Sequence, residues 1–192
     1  MSLRTFIWII VVAIAITVIS CNARLQFKSA KNEPVKQYIE EASITVTAPR
    51  LEKKTLNEEQ IKTAQKDLMD YVSVYGVFYK KIEYSLIYTL YKNEISLEEA
   101  EKNIIKVFEG KSFEYEKKAY TEGKDEKCVI FGTFIIDGKK FGAEIMLIKR
   151  NLNFWQVLSV YPYSQNNKNS AVSYINSAAT DEIIHSKAEK KQ

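Results

Sequence analysis

The stretch CVIFGTFIIDGKKFGAEIMLI, residues 128–148, decides the fold that we predict for this chain. Asp137-Gly138 divides it into two apolar runs, and this dipeptide favours a type I′ turn because both of its positions need positive φ. A two-residue turn fixes the register, so we expect Phe134 to lie opposite Phe141. The face that carries this pair is almost wholly apolar, which predicts a β-hairpin with one face in the core.

Further elements are predicted on both sides of this hairpin. Residues 154–161 extend it into a three-stranded antiparallel meander, and residues 113–120 form a strand candidate before it. Residues 56–108 show apolar positions three and four apart, which predicts helices, and Thr55 and Ser96 begin capping-box patterns. We therefore predict an α+β fold in which N-terminal helices pack on one face of a curved antiparallel sheet.

Composition and charge exclude several classes of function. The 192 residues include two Cys and one His, which leaves no disulfide framework, no four-thiolate zinc site and little basis for a His-based metal site. The net charge is +4, and the basic excess lies in the flanks rather than in residues 56–163. A nucleic-acid-binding domain concentrates positive charge on its folded face. We expect no nucleic acid, no metal and no cofactor.

The first residues carry the strongest signal for cellular location. Residues 5–19, TFIWIIVVAIAITVI, hold no charge and are followed by Ser20 and Cys21. This run is short for a membrane span and fits the apolar part of an export signal. The residues from Val18 to Cys21 resemble the lipobox of bacterial lipoprotein signals, which implies cleavage before Cys21 and attachment of a lipid to its thiol.

An uncleaved signal anchor is the competing interpretation of residues 1–21, and a buried core helix is a third. The basic residues after the run, beginning with Arg24 and Lys28, outnumber those before it. The positive-inside bias would place the domain of an anchored chain in the cytoplasm, so topology stays open. We predict export, with the chain tethered in the cell envelope and its domain extracytoplasmic.

Four segments are predicted along the chain. Residues 1–21 form the signal or anchor, and residues 22–55 form a polar stalk with a short helix after Pro34 and one short strand. Residues 56–163 form the α+β domain. Residues 164–192 are rich in Asn, Ser and Lys, and are predicted to be a loose polar tail.

The predicted domain resembles the cystatin-like and nuclear-transport-factor-two-like cone fold. The resemblance rests on Asp137-Gly138, the alternating apolar residues around it and Trp155-Gln156-Val157. Enzymes of that fold usually place His or Asp inside the cone, whereas His185 lies in the predicted tail. The carboxylates of Asp67, Asp70 and Glu144 are expected on the solvated surface, and Cys128 is expected to be buried. We therefore identify no catalytic residue.

Three tyrosines are candidates for a ligand or partner groove. Tyr71, Tyr75 and Tyr79 would share one face of a predicted helix, and a row of tyrosines offers both apolar rings and hydroxyl groups. The alternative is that their rings pack on the sheet while their hydroxyls reach water. The spacing is compatible with either interpretation.

These features together predict a membrane-tethered extracytoplasmic binding or assembly module without catalytic activity. Its partner would be a protein or a small molecule that the sequence does not identify. One alternative is a bitopic subunit of a cell-envelope or secretion complex, which resembles the bridging proteins of type IV secretion. The other is a small cone-fold enzyme of the isomerase or hydrolase type, which would need a buried ionisable group facing a cavity.

Overall fold

Strands form most of the structure. The computed structural model describes residues 29–55 and 69–181, and within these ranges it places ten strands, two α-helices and one 3₁₀ turn. In chain order these are β1 Val35–Ile39, the 3₁₀ turn Glu40–Ala42, β2 Ile44–Ala48, β3 Glu52–Lys54, β4 Met69–Tyr79, β5 Ile82–Tyr91, α1 Leu97–Val107, β6 Glu114–Glu122, β7 Asp125–Ile136, β8 Lys139–Arg150, β9 Asn153–Pro162, α2 Gln165–Asn176 and β10 Ala179–Thr180.

The strands make two antiparallel sheets. The large sheet has seven strands in the order β3-β4-β5-β9-β8-β7-β6, and the small sheet has the order β1-β2-β10. The predicted hairpin is confirmed as β7 and β8, with Phe134 opposite Phe141. Asp137 and Gly138 have φ values of 49° and 71°, as a type I′ turn requires. The third strand of the predicted meander is confirmed as β9.

The predicted fold class is wrong, because no N-terminal helices pack on the sheet in the described residues. Residues 69–91 form β4 and β5, two long strands joined at Lys80-Lys81, where a helix was predicted. Tyr, Val, Ile and Phe dominate this segment, and these residues favour strands. Positions four apart, such as Tyr71 and Tyr75, share a face in a strand as well as in a helix, so their spacing did not separate the two.

The flanks of the predicted domain also carry regular structure. The segment after Pro34 is strand β1 rather than a short helix, and the predicted strand that follows is β2. Residues 165–176, in the segment predicted as a tail, form α2 instead. The predicted anchor at residues 1–21 and the helix start after Thr55 lie outside the described residues. Within the described ranges, no helix has the length and hydropathy to cross a bilayer.

Both faces of the central strands of the large sheet are buried, whereas β6 at one edge is exposed along its whole length. Ala100 and Ile104 of α1, with Phe108 just after the helix, pack on one face against sheet residues that include Ile130, Phe134 and Ile145. We call this the α1 face. On the α2 face, α2 and the small sheet pack against residues that include Leu86, Met146 and Trp155. The structure therefore has three layers, with the seven-stranded sheet in the middle.

Polar contacts fasten the outer layer of the α2 face to the sheet. The indole nitrogen of Trp155 donates a hydrogen bond to the carbonyl of Ala42 at 2.6 Å, and the hydroxyl of Tyr174 donates to the carbonyl of Ser85 at 2.8 Å. Arg150 donates to Thr180 Oγ1 at 2.7 Å and so holds β10 in place. Each of these groups is buried or partly buried, so its hydrogen bond offsets the cost of removing it from water.

Replacement of Ile145 by Asp tests the buried α1 face. Ile145 is 2% exposed, so the variant buries a carboxylate that has no partner and should lose several kcal/mol in the free energy of unfolding. Ile135 lies on the paired strand and is 48% exposed. We expect Ile135→Asp to change stability by less than about 0.5 kcal/mol. Urea denaturation followed by circular dichroism measures both, and equal losses would contradict the assignment.

Candidate functional site

A cleft of about 670 Å³ opens between α1 and the α1 face of the sheet. Its wall on one side is the start of α1 and the loop before it, and on the other side the strands β6, β7 and β8. The ionisable side chains that line the cleft come from four glutamates, one lysine and one cysteine. The full set of lining residues is Glu94, Ile95, Ser96, Leu97, Glu98, Glu101, Ala119, Glu126, Cys128 and Lys149. A volume of this size holds a small molecule or a short peptide segment.

Lys149 holds two of the carboxylates at the cleft. Its ammonium group lies 2.9 Å from Glu94 Oε1 and 2.8 Å from Glu126 Oε1, while the lysine itself is only 7% exposed. Glu126 lies directly opposite Lys149 in the β7–β8 register, which sets this geometry. The hydrogen bonds to Glu126 and Glu94 raise the pKa of Lys149, so the lysine stays charged at neutral pH.

A second polar group forms where α1 crosses the sheet. Glu101 is buried, and its Oε1 accepts a hydrogen bond from Lys117 Nζ at 2.5 Å. Its other oxygen lies 3.8 Å from the sulfur of Cys128. Burial, with the neighbouring Glu101 charge as a further cause, raises the pKa of the Cys128 thiol to about 11. The thiol is therefore protonated at neutral pH and is a poor nucleophile.

The cleft presents hydrogen-bond acceptors rather than reactive groups. Each carboxylate has two acceptor oxygens, so Glu94 and Glu126 can still accept hydrogen bonds while they hold Lys149. The carboxylate of Glu98, at the start of α1, forms a salt bridge with the ammonium group of Lys102, with Oε1 and Nζ 2.6 Å apart. Acceptors grouped at one concave surface suit a ligand that brings ammonium, guanidinium or other donor groups.

Sequence reasoning did not find this cleft, although one signal for it is present. In the predicted helix after Ser96, Glu101 falls on the apolar side, four residues after Leu97 and three before Ile104. A carboxylate on the buried side of an amphipathic helix needs a partner or a function. The partners, Lys117 and Cys128, are 16 and 27 residues away in sequence and come together only in the folded sheet.

Two of the three candidate tyrosines meet at a single carboxylate. The hydroxyls of Tyr71 and Tyr75 donate to Glu41 Oε2 at 2.6 and 2.8 Å, and Lys53 Nζ lies 2.5 Å from the same oxygen. The hydrogen bonds from Lys53 and Tyr71 are the main causes that lower the pKa of Glu41 to about 2. Burial, and then the hydrogen bond to Glu41, raises the pKa of Tyr75. We call these four residues the Glu41 cluster.

Tyr79 lies at the end of the same strand, away from Glu41. Its side chain interacts with Glu33 and Lys80 near the end of β4 rather than with Glu41. Tyr75 and Tyr79 are each 7% exposed, with their rings in the core of the α2 face. The rings of Tyr75 and Tyr79 therefore pack in the core, and the hydroxyls of Tyr71 and Tyr75 bind Glu41 rather than reaching water, as the alternative interpretation had expected. The three tyrosines do not line one continuous groove.

The remaining sequence candidates fall in different environments. Cys21, Asp67 and His185 lie outside the described residues. Asp70 is exposed, as expected, and Cys128 is buried, as expected. Glu144 is only 1% exposed, so the expectation of a solvated carboxylate is wrong. No group of three or more His, Cys, Asp or Glu side chains in residues 29–55 and 69–181 is arranged to hold a metal ion.

Glu144 is buried because α2 covers its face of β8. Its Oε1 accepts a hydrogen bond from the hydroxyl of Tyr161 at 2.7 Å. Burial raises its pKa, which the Tyr161 hydrogen bond partly opposes. The Tyr161 ring lies over Gly142, where a Cβ atom would come within 2.4 Å of it. The cleft lies on the opposite face of the sheet, so this pair has a structural place and no contact with the cleft.

Comparison with known proteins identifies no family. No protein-family model matches the chain, and no curated protein matches it. Among solved structures, the chain is similar to PA94, a protein of unknown function from Pseudomonas aeruginosa. The identity is 8%, the match covers 72% of this chain and 88% of that chain, and the TM-score is 0.40. A likeness this distant supports no functional argument.

Replacement of Glu41 by Gln tests the Glu41 cluster. The pKa of Glu41 falls from 4.5 to about 2 on folding, so its charge stabilises the folded state above pH 4.5, and this contribution is lost as the pH falls to 2. The side chain is 37% exposed, so solvent screening limits the expected loss at pH 7 to about 1 kcal/mol. Urea denaturation of wild type and variant should show this difference at pH 7 and none near pH 2.

Glu40→Gln is the matched control for this measurement. Glu40 is the preceding residue in sequence and is exposed. Its replacement removes the same charge without touching the two tyrosines or Lys53. Equal stability of the two variants at pH 7 would contradict the role assigned to Glu41.

Proposed function

We propose that this protein is a membrane-tethered extracytoplasmic binding module without catalytic activity. Its α1 cleft binds a positively charged group of a small molecule or of a partner peptide. The observation that carries this proposal is the cleft itself, in which four glutamates surround about 670 Å³ and one buried lysine fixes two of them. Concave sites with a few placed polar groups are the usual form of binding sites.

The charges of the cleft support a cationic ligand. Glu94 and Glu98 are 71% and 70% exposed, so both can meet an arriving charge. The four carboxylates are paired with three ammonium groups, those of Lys102, Lys117 and Lys149, so the negative charge that remains disfavours an anionic ligand. Because these carboxylates are partly open to water, salt is expected to weaken the interaction.

The groups in the cleft give little support to catalysis. A nucleophilic thiol needs a lowered pKa, whereas the pKa of Cys128 is raised to about 11. A general acid or base works best with a pKa near the operating pH. Lys149, the buried ammonium group at the cleft, has its pKa raised further above neutrality by Glu126 and Glu94.

The tether rests on the sequence of the N-terminal segment. Residues 5–19 suit an export signal, and Ser20 supplies the small side chain that signal peptidases need before Cys21. A diacylglyceryl group on Cys21 would provide the two acyl chains that stable anchoring requires. The domain would then lie in the cell envelope, outside the cytoplasm.

A lysine tripeptide tests the cleft. Calorimetric titration of the detergent-solubilised full chain with Lys-Lys-Lys amide should show one binding site at low salt. The double variant Glu94→Gln/Glu98→Gln should weaken binding about tenfold, because it removes two exposed charges and leaves Lys149 paired with Glu126. The same peptide with acetylated side chains should not bind.

Glu114→Gln/Glu116→Gln is the matched control for that double variant. Glu114 and Glu116 are exposed residues of β6 that lie opposite Thr133 and Phe131, so they project from the α2 face, away from the cleft. This control removes the same charge and should retain wild-type affinity. Equal weakening by both double variants would show that overall charge, not the cleft, attracts the peptide.

Intact-mass measurement on membrane-extracted protein tests the tether. We expect residues 1–20 to be absent and Cys21 to carry a diacylglyceryl group, with a third acyl chain where the host adds one. Cys21→Ala should remain unlipidated and uncut, because the thiol is the site of attachment. An unmodified Cys21 together with retained residues 1–20 would refute lipidation and establish the signal anchor instead.

A further inference from the structure

Four lysines project from one end of the large sheet. Lys80 and Lys81 form the turn between β4 and β5, and Lys139 and Lys140 follow the turn between β7 and β8. All four are exposed. We call the surface made by residues 78–81, 135–140 and 163 the hairpin end.

The strand register places both lysine pairs at the same end of the sheet, at similar distances along the strands. Glu83, Val160 and Ala143 form one row across β5, β9 and β8. Lys81 lies two residues beyond this row and Lys140 lies three residues beyond it. The two turns are three strand spacings apart, which is about 15 Å. The four ammonium groups can therefore meet one flat surface together.

Three of these four charges have no carboxylate partner among the described residues. Lys80 lies 3.0 Å from Glu33, but no carboxylate in the described part of the chain pairs with Lys81, Lys139 or Lys140. Asp137 is the acidic residue of the two turns. At the opposite end of the sheet, by contrast, the buried cations Lys127, Lys149 and Arg150 all have carboxylate partners.

Turn geometry does not explain the lysines at positions 80 and 81. Their φ values are 46° and 68°, a conformation that favours Gly and Asn. A turn selected only for stability would carry those residues. The Lys80 ammonium group is paired with Glu33, whereas Lys81 adds an exposed charge at this turn.

Apolar side chains are exposed among these charges. Phe78 is 40% exposed, Ile135 is 48% exposed and Tyr163 is 45% exposed. The ring of Tyr163 lies 4.9 Å from the ammonium nitrogen of Lys140. Lysines beside exposed aromatic and aliphatic groups are typical of surfaces that rest on a membrane, where the apolar groups reach the acyl boundary and the ammonium groups bind the headgroups.

The N-terminal part of the described chain meets the sheet at the same end. Ser29 forms a bridge with Phe78, and the amide of Ala30 donates a hydrogen bond to the carbonyl of Phe78 at 2.9 Å. Eight Cα-to-Cα steps lead from Cys21 to Ser29, and a fully extended chain covers at most about 28 Å in eight steps. A tether at Cys21 would thus hold this end, rather than the opposite one, near the membrane.

We propose that the hairpin end faces the membrane and binds the headgroups of anionic phospholipids. This proposal rests on the tether of the proposed function and adds an orientation of the domain and a lipid class. Lysines near a membrane surface are attracted to anionic lipids over about one Debye length. Contact is therefore expected at low salt and is expected to weaken as salt is added.

Lysine footprinting of the full chain in vesicles tests the proposal. The protein is reconstituted into vesicles of phosphatidylcholine alone or with about 30% phosphatidylglycerol. A membrane-impermeant acetylating reagent is applied briefly, and each lysine is quantified by peptide mass spectrometry. Labelling of Lys81, Lys139 and Lys140, relative to Lys124, should fall at least threefold in the anionic vesicles and recover in roughly 500 mM salt. Lys124 is the internal control because it is exposed in the turn between β6 and β7, at the opposite end of the sheet.

Lys139→Gln/Lys140→Gln provides a second measurement. Both side chains are exposed, so the variant should fold normally, and it should reduce the protection of Lys81 in anionic vesicles. Lys118→Gln removes an exposed charge from β6, outside the hairpin end, keeps Lys124 as the reference and should leave that protection unchanged. Equal labelling in neutral and anionic vesicles, or equal protection of Lys124, would overturn the proposal.

Flotation on neutral vesicles separates this proposal from the proposed tether. A chain that floats with phosphatidylcholine vesicles but shows no selective protection retains its tether and lacks the lipid-binding surface. A chain that does not float lacks the tether, and both proposals then fail. Protection that depends on phosphatidylglycerol in a chain that floats supports both.

Discussion

Burial of both faces of the central strands of the large sheet is the constraint on which the rest of the described structure depends. Phe154 and Trp155 are successive residues of β9, point to opposite faces and are each 0% exposed. A sheet with one buried face needs one covering layer, whereas this sheet needs two. The helix α1 covers one face, and α2 with the small sheet covers the other. Apolar contact with the large sheet holds α1, α2 and β2 in place, whereas β10 is held by pairing with β2 and by the hydrogen bond from Arg150.

Tyrosine side chains on the α2 face combine buried rings with hydrogen-bonded hydroxyls. The rings of Tyr75, Tyr88, Tyr161 and Tyr174 are buried there, and each hydroxyl donates to a partner at the edge of the layer: Glu41, the Asn153 side chain, Glu144 and the Ser85 carbonyl. A tyrosine adds a large apolar area and also satisfies a polar group where two layers meet. The sequence suggested a row of tyrosines that lines a groove, whereas tyrosines in the structure lie where two layers pack together.

The two proposed surfaces lie at opposite ends of the same strands. Glu126 on β7 and Asp137, in the turn that follows β7, are eleven residues apart, which corresponds to about 37 Å along the strand. A domain that rests on a membrane by its hairpin end would hold the cleft away from the lipid. The acidic cleft would then be separated from the anionic headgroups, and its ligand could reach it from the aqueous side.

The sequence by itself determined the β7–β8 hairpin, because the turn type and the alternation of apolar residues act over neighbouring positions. It also determined α1, through the capping box at Ser96 and the apolar spacing after it, although the Ser96 side chain makes no capping hydrogen bond. The secondary structure of residues 69–91 was not determined by the sequence, because positions four apart share a face in both a helix and a strand. Only the tertiary structure decided between them, since a long strand needs neighbouring strands for its backbone hydrogen bonds, and β3 and β5 supply these to β4. The cleft also depended on the tertiary structure: pairing of β7 with β8 brings Cys128 and Lys149 to one face of the sheet, and packing of α1 on that face adds Glu101.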